Sequence, residues 1–184
     1  MKEYLEENLV KGRYLHTLGV VETAKDLAKR YGVDIKKAEI AALAHDIAKN
    51  LSSEQLLKII EANNITLSVD EKNTRELWHS IVGPIVARER FGIVDEEILS
   101  AIRWHTTGKE NMSKLDKIIY LADMIEPSRD FSMVEELRND SKDDLDKAML
   151  NALTYTIKYL LEKGCLIDVN TVKARNYLLY NNYK

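Results

Sequence analysis

Four histidines and two aspartates stand at positions where a polar residue interrupts or borders an apolar stripe. His45 is followed directly by Asp46 at the end of a run rich in alanine (Ala38, Ala41, Ala42). On a helix adjacent side chains point about 100° apart around the axis, so both reach one ion only if it lies off the helix, between their two directions. His16 sits beside Leu15 and Leu18, His79 between Trp78 and Val82, and His105 after Ile98, Ile102 and Trp104. Asp123 breaks the apolar run 118–122 just before Met124 and Ile125. An unpaired carboxylate in such a stripe is strongly disfavoured or takes up a proton, and a buried cation is an economical partner for it.

Donors of nitrogen and oxygen without sulfur suit iron, manganese, zinc, cobalt or magnesium rather than a thiolate-seeking metal. The single cysteine, Cys165, excludes both an intrachain disulfide framework and a site built on several thiolates. The set His16, His45, Asp46, His79, His105 and Asp123 exceeds the four ligands that close a structural zinc site. Two divalent ions sharing one carboxylate account for the surplus. Such a pair, about 3.5 to 4 Å apart, bridges a hydroxide and neutralises charge on an attacked phosphoryl group. This chemistry needs no amino-acid nucleophile, in keeping with the lack of a Gly-x-Ser-x-Gly elbow or a Walker-type loop.

The elements that must position these residues read as helices throughout. Apolar residues recur at intervals of three and four, and alternating β-branched runs are missing. The pattern predicts helices over residues 14–32, 35–48, 53–63, 75–91, 95–105, 113–125, 143–163 and 170–180, with Gly32 and Gly164 closing two of them and Pro127 following the one that holds Asp123. The expected architecture is all-α: a helical bundle forming one domain over 1–184, with a metal-site core at about 13–130 and C-terminal helices at about 141–184 packed on it. With 45% apolar and 31% charged residues the chain has material for one core and a solvated shell, which excludes extensive disorder.

A net charge of −3 and a pI near 5.9 give no broad attraction for a polyanion, so no nucleic-acid partner is expected. The longest apolar runs, 40–44 and 118–122, fall far short of the roughly 20 residues that span a bilayer. Residues 1–10 are too charged for a secretory signal, and a cytoplasmic location is expected. A homodimer through one of the long amphipathic helices is compatible with the pattern, which singles out no face.

The order His16, His45-Asp46, His79, His105, Asp123 resembles the HD-domain metal-dependent phosphohydrolases, helical proteins that hydrolyse phosphate esters and anhydrides of nucleotides. Within that superfamily several stretches are similar to the bacterial symmetrical diadenosine tetraphosphate hydrolases of the YqeK type. They are Arg13-Tyr14-x-His16-x-x-Gly19-Val20, Ala44-His45-Asp46-Ile47-Ala48-Lys49, His79-Ser80-x-x-Gly83, His105-Thr106-Thr107-Gly108, Tyr120-x-Ala122-Asp123-x-Ile125-Glu126-Pro127-x-Arg129 and Asn170-Thr171-Val172-x-Ala174-Arg175-Asn176. The resemblance implies cleavage of diadenosine tetraphosphate at its central anhydride to two ADP, with iron the implied metal. Arg129 suits a phosphate clamp because its guanidinium offers paired donors. Thr106 and Lys49 are candidates for phosphate contact, and Asp168, Thr171 and Arg175 for nucleotide contact from the C-terminal segment. Two alternatives share the motifs: a hydrolase of deoxynucleoside monophosphates or triphosphates, and a regulatory module that binds nucleotide without much turnover. A plain helical scaffold with unrelated histidines is the third.

Overall fold

The structure is a computed structural model and describes residues 1–182. Among these residues there are eleven α-helices, a single 3-10 turn at Arg75–Leu77, and no strand. In chain order the helices are α1 (Lys2–Asn8), α2 (Lys11–Tyr31), α3 (Ile35–Ala44), α4 (Ser53–Ala62), α5 (Val69–Asn73), α6 (Trp78–Phe91), α7 (Glu96–Trp104), α8 (Lys114–Ile125), α9 (Val134–Asp143), α10 (Leu145–Glu162) and α11 (Val169–Asn182).

Local chemistry explains most of the boundaries. Gly32 closes α2 in the left-handed region at φ 68°, and Asp34 then starts α3 by accepting from the backbone of Lys36 and Lys37. Ser52 with Gln55, Ser68 with Glu71 and Ser113 with Asp116 form capping boxes at the starts of α4, α5 and α8.

α8 is the centre of the bundle. Leu115, Ile118, Ile119, Leu121 and Ala122 are all fully buried, and the helix packs against α2, α3, α7, α9 and α10. Truncating a residue such as Leu121 to Ala would cost about 2–5 kcal/mol. The alanines of the run before His45, Ala38, Ala41 and Ala42, have no exposed surface and let α3 lie against α2 and α7. Gly83 does the same for α6, since a Cβ there would fall 2.8 Å from Ile102 on α7. α10 rests on α8 and α9, and α11 rests on α10. Among the described residues no helix is long and apolar enough to cross a membrane.

Two expectations are corrected. The helix expected over 35–48 stops at Ala44, and Ile47 and Lys49 bond back three residues, to Ala44 and Asp46, rather than four. His45 therefore caps a helix end and Asp46 lies beyond it. Second, α1, α5 and α9 had not been foreseen. α9 buries only Val134 and Leu137 from an otherwise charged surface, an apolar stripe too thin to show as a period. Its remaining inward groups are polar: Asp140 accepts from Asn151, and the Ser141 carbonyl accepts from Tyr31.

Candidate metal centre

His16 lies on the second turn of α2, His79 at the start of α6 and Asp123 in the last turn of α8. His45 and His105 are the residues that end α3 and α7, and Asp46 follows His45. The packing brings all six to one point, as two groups of three. His16, His45 and Asp123 form one; Asp46, His79 and His105 form the other, with the ligand-type atoms in each within 4.8 Å of one another. In the first, Asp123 Oδ1 is 3.0 Å from His16 Nε2 and 4.0 Å from His45 Nε2. In the second, Asp46 Oδ1 is 3.1 Å from His79 Nε2 and 3.6 Å from His105 Nε2. Asp46 also turns its other oxygen to within 3.8 Å of His45 Nε2, so one carboxylate borders both groups.

The rings are oriented by their far nitrogens. His45 Nδ1 donates to the carbonyl of Ala42 (2.6 Å) and His105 Nδ1 to that of Ile102 (2.8 Å), carbonyls left free because the helices end there. His16 Nδ1 donates instead to Glu126 Oε1 at 3.0 Å. With Nδ1 protonated in each case, a neutral ring presents the lone pair of Nε2 to the common space.

Burial pushes His45 below its ordinary value and takes His79 down to about 4, favouring neutral imidazole. Burial works to raise the Asp46 carboxyl, but His45, His105 and His79 outweigh it and hold it well below the usual carboxylate range. Asp123 is likewise held low against burial, chiefly by the hydrogen bond from His16. His16 itself is raised, because its bonds to Asp123 and Glu126 overcome the opposing effect of burial. Ionised carboxylates and neutral imidazoles are the states in which these side chains ligate a metal. Asp46, Asp123, His45 and His79 are biased toward them, whereas an ion at His16 would replace the proton that Asp123 and Glu126 favour there. Two buried atoms at the focus, His45 Nε2 and Asp46 Oδ1, have no hydrogen-bond partner, although Asp46 Oδ1 lies within ion-pair distance of His79. Buried polar atoms left without a partner are costly, and divalent cations among the two groups would supply partners to them. The donor set and the orphaned atoms fit such an ion.

Three cations ring the carboxylates. Arg129 Nη2 donates to Asp123 Oδ1 (2.6 Å) and Arg13 Nη1 to Asp46 Oδ2 (3.0 Å), both from side chains about a third or more exposed. Lys49 reaches deeper, its Nζ 3.0 Å from His79 Nε2 and 3.5 Å from Asp46 Oδ1. Thr106 donates to Ser80, which donates to the carbonyl of Leu77. A cavity of about 430 Å³ opens beside Thr106, walled also by Leu77, Thr156, Leu160, Asp168 and Thr171, and none of the six clustered residues lines it. Asp168 is buried and starts α11 by accepting from the Asn170 backbone. Arg175 does not line this cavity and donates to Thr154 instead. A larger cavity, about 730 Å³ between α2 and α9, touches none of the six clustered residues.

Glu126 and Arg13 had been given no role from sequence. Each stood inside a quoted motif, but its partner lies 110 or 33 residues away in the chain.

The structure is a helical bundle around a buried His/Asp cluster of a kind that could hold metal, and the chain belongs to the HD domain family, whose profile matches residues 13–128. Enzymes of this type are metal-dependent phosphohydrolases, and dependence on a divalent metal goes with the family. The chain is similar to proteins named symmetrical bis(5'-nucleosyl)-tetraphosphatase. That of Bacillus subtilis (strain 168) is 40% identical over 175 residues, covering 95% of this chain and 94% of the relative. That of Halalkalibacterium halodurans is 44% identical over 181 residues, covering 96% and 94%. A crystal structure from Clostridium acetobutylicum, described as that of a predicted HD superfamily hydrolase involved in NAD metabolism, superposes with a TM-score of 0.95 at 45% identity, covering 98% of this chain and 95% of that one.

Proposed function

We propose that this protein hydrolyses diadenosine tetraphosphate at its central anhydride, releasing two ADP, with His16, His45, Asp46, His79, His105 and Asp123 as its metal ligands. The observation that carries the reading is the convergence of six donors from five helices on one point, with Asp46 between the two groups. The substrate class is supported by identity of 40% and 44% to the tetraphosphatases over nearly the whole of both chains. A bound divalent ion would supply Lewis acidity at the attacked phosphate and a water ionisable near neutral pH.

The chain's own residues do the rest. In central hydrolysis an oxygen from water joins the attacked phosphorus as the central P–O bond breaks, and the oxygen that bridged the two halves leaves as a terminal, negatively charged oxygen of ADP. Arg129 and Arg13, at the rim on Asp123 and Asp46, are placed to turn their forks to phosphate oxygens when a polyphosphate enters. Lys49 offers a point charge to the same group, and Thr106 a hydroxyl. The cavity beside Thr106 is of a size for a nucleoside, with Leu77 and Leu160 as apolar walls and Asp168 and Thr171 as polar ones.

Iron is the proposed metal, with manganese, cobalt and zinc compatible with the same donors. One ion would be held by His16, His45, Asp123 and an oxygen of Asp46. A second would be held by Asp46, His79 and His105, in the place where the Lys49 ammonium now meets His79 and Asp46. Product analysis tests the reaction. Protein reconstituted with iron or manganese and given diadenosine tetraphosphate yields ADP as its sole nucleotide product. ATP with AMP would refute symmetrical cleavage, and faster turnover of dGTP or of a deoxynucleoside monophosphate would move the assignment to another nucleotide.

A further inference from the structure

A carboxylate outside the six clustered residues is built into this centre, and its placement goes against ordinary helix electrostatics. Glu126 caps the C-terminal end of α8, the negative end of the helix dipole, and its side chain is almost wholly buried. Three donors hold it there: His16 Nδ1 on Oε1, and the hydroxyl and backbone N–H of Ser128 on Oε1 and Oε2. Arg138 fixes the backbone beneath it by donating to the carbonyls of Ile125, Glu126 and Arg129. The facing residue on α2 is Gly19, where a Cβ would fall 2.7 Å from Glu126 Oε2.

The reason for this arrangement lies in where His16 sits. His45 and His105 end their helices and use spare carbonyls three residues back. His16 is inside α2, where the carbonyls are taken up by the helix, so the partner of its ring must come from another element. A carboxylate is the stronger acceptor and makes the opposite nitrogen a better ligand.

We propose that Glu126 is the positioning residue for His16: it fixes the ring so that Nε2 faces the metal position shared with His45 and Asp123, and Gly19 is the residue that admits it. The inference rests on the reading of His16 as a metal ligand. Its test therefore measures metal binding, not turnover. Manganese and cobalt affinities are taken by competition with a chelator for the native protein and for Glu126→Ala, Glu126→Gln, Gly19→Ala and His16→Ala. Glu126→Ala should bind about 10–100-fold more weakly, with a changed visible spectrum for bound cobalt, and Glu126→Gln, which keeps an acceptor oxygen, should fall between it and the native protein. Gly19→Ala should weaken metal binding too, although alanine is the better helix former and α2 gains from it. That combination is one a merely structural role does not produce, and it decides the matter if Glu126→Ala fails to fold. Native affinity in Glu126→Ala or in Gly19→Ala, with His16→Ala impaired, overturns the role of Glu126. Native affinity in His16→Ala overturns the ligand reading beneath it.

Discussion

In the first group His16 and Asp123 are partly open to solvent and His45 is fully buried, whereas in the second Asp46, His79 and His105 are each no more than 5% exposed. The first group has its rings tied from behind by Glu126 and the Ala42 carbonyl, and its nearest cation, Arg129, is at the rim. The second holds a cation of its own, because the Lys49 ammonium lies 3.0 Å from His79 Nε2. The difference suggests a division of labour. On the proposed reading one half would hold an ion in a preformed set of donors, and the other would balance its charge with a second ion or with the Lys49 ammonium.

The largest expected effect comes from removing what the halves share. Asp46→Ala should lose bound metal and measurable turnover while keeping its helical circular-dichroism signal, and retained activity in that variant would contradict the sharing of Asp46. Single ligand changes separate the halves. His16→Ala should release metal altogether, whereas His79→Ala should keep about one equivalent by elemental analysis; equal losses would erase the distinction. Lys49→Met comes next. It should raise the manganese bound per chain at saturation and, by removing a phosphate contact, raise KM. An unchanged stoichiometry would mean that Lys49 does not compete with an ion.

Arg129→Ala should leave metal content intact and lower kcat/KM about tenfold or more, the scale of a charged hydrogen bond. The smallest effect lies away from the centre. Lys37, near the start of α3, pairs with Asp95 and Glu97 at the start of α7, and these two helices end at His45 and His105. The hydrogen bond from Lys37 holds the Asp95 carboxyl below its ordinary value. Its contribution to stability is therefore present above the unfolded value, near pH 4, and is lost as the pH falls through the lower folded one. Asp95→Asn keeps a helix-capping side chain, so its melting temperature should lie slightly below that of the native protein at pH 7 and approach it below about pH 4. A gap that stays constant with pH would mean that charge is not its source.

The parts of this architecture readable in the chain were those whose signal is local. The stripe of α10, the stop at Gly32 and the six polar residues set in apolar stripes all depend on near neighbours in sequence. α5 had a local signal, its Ser68 and Glu71 capping box, in a helix too short for a period to show. α9 had almost none, since its inward face is largely Asp140 and Ser141, whose partners lie on other helices. The early end of α3 was hidden because 45–48 continue the helical pattern in residue type while the backbone tightens. The assignments around the centre were relational in the same way. Nothing near Glu126 in sequence points to Gly19 or His16, and the placing of Lys49 against His79 depends on α6, a distant part of the chain.

The central claim is that divalent metal binds among these six side chains. Crystals of the manganese-loaded protein, measured at the manganese absorption edge, test it directly. The account predicts an anomalous peak within about 2.0–2.3 Å of His16 Nε2, His45 Nε2 and carboxylate oxygens of Asp46 and Asp123, the range usual for such bonds. Protein shown to hold manganese, with its anomalous peak elsewhere and none among these residues, would contradict it.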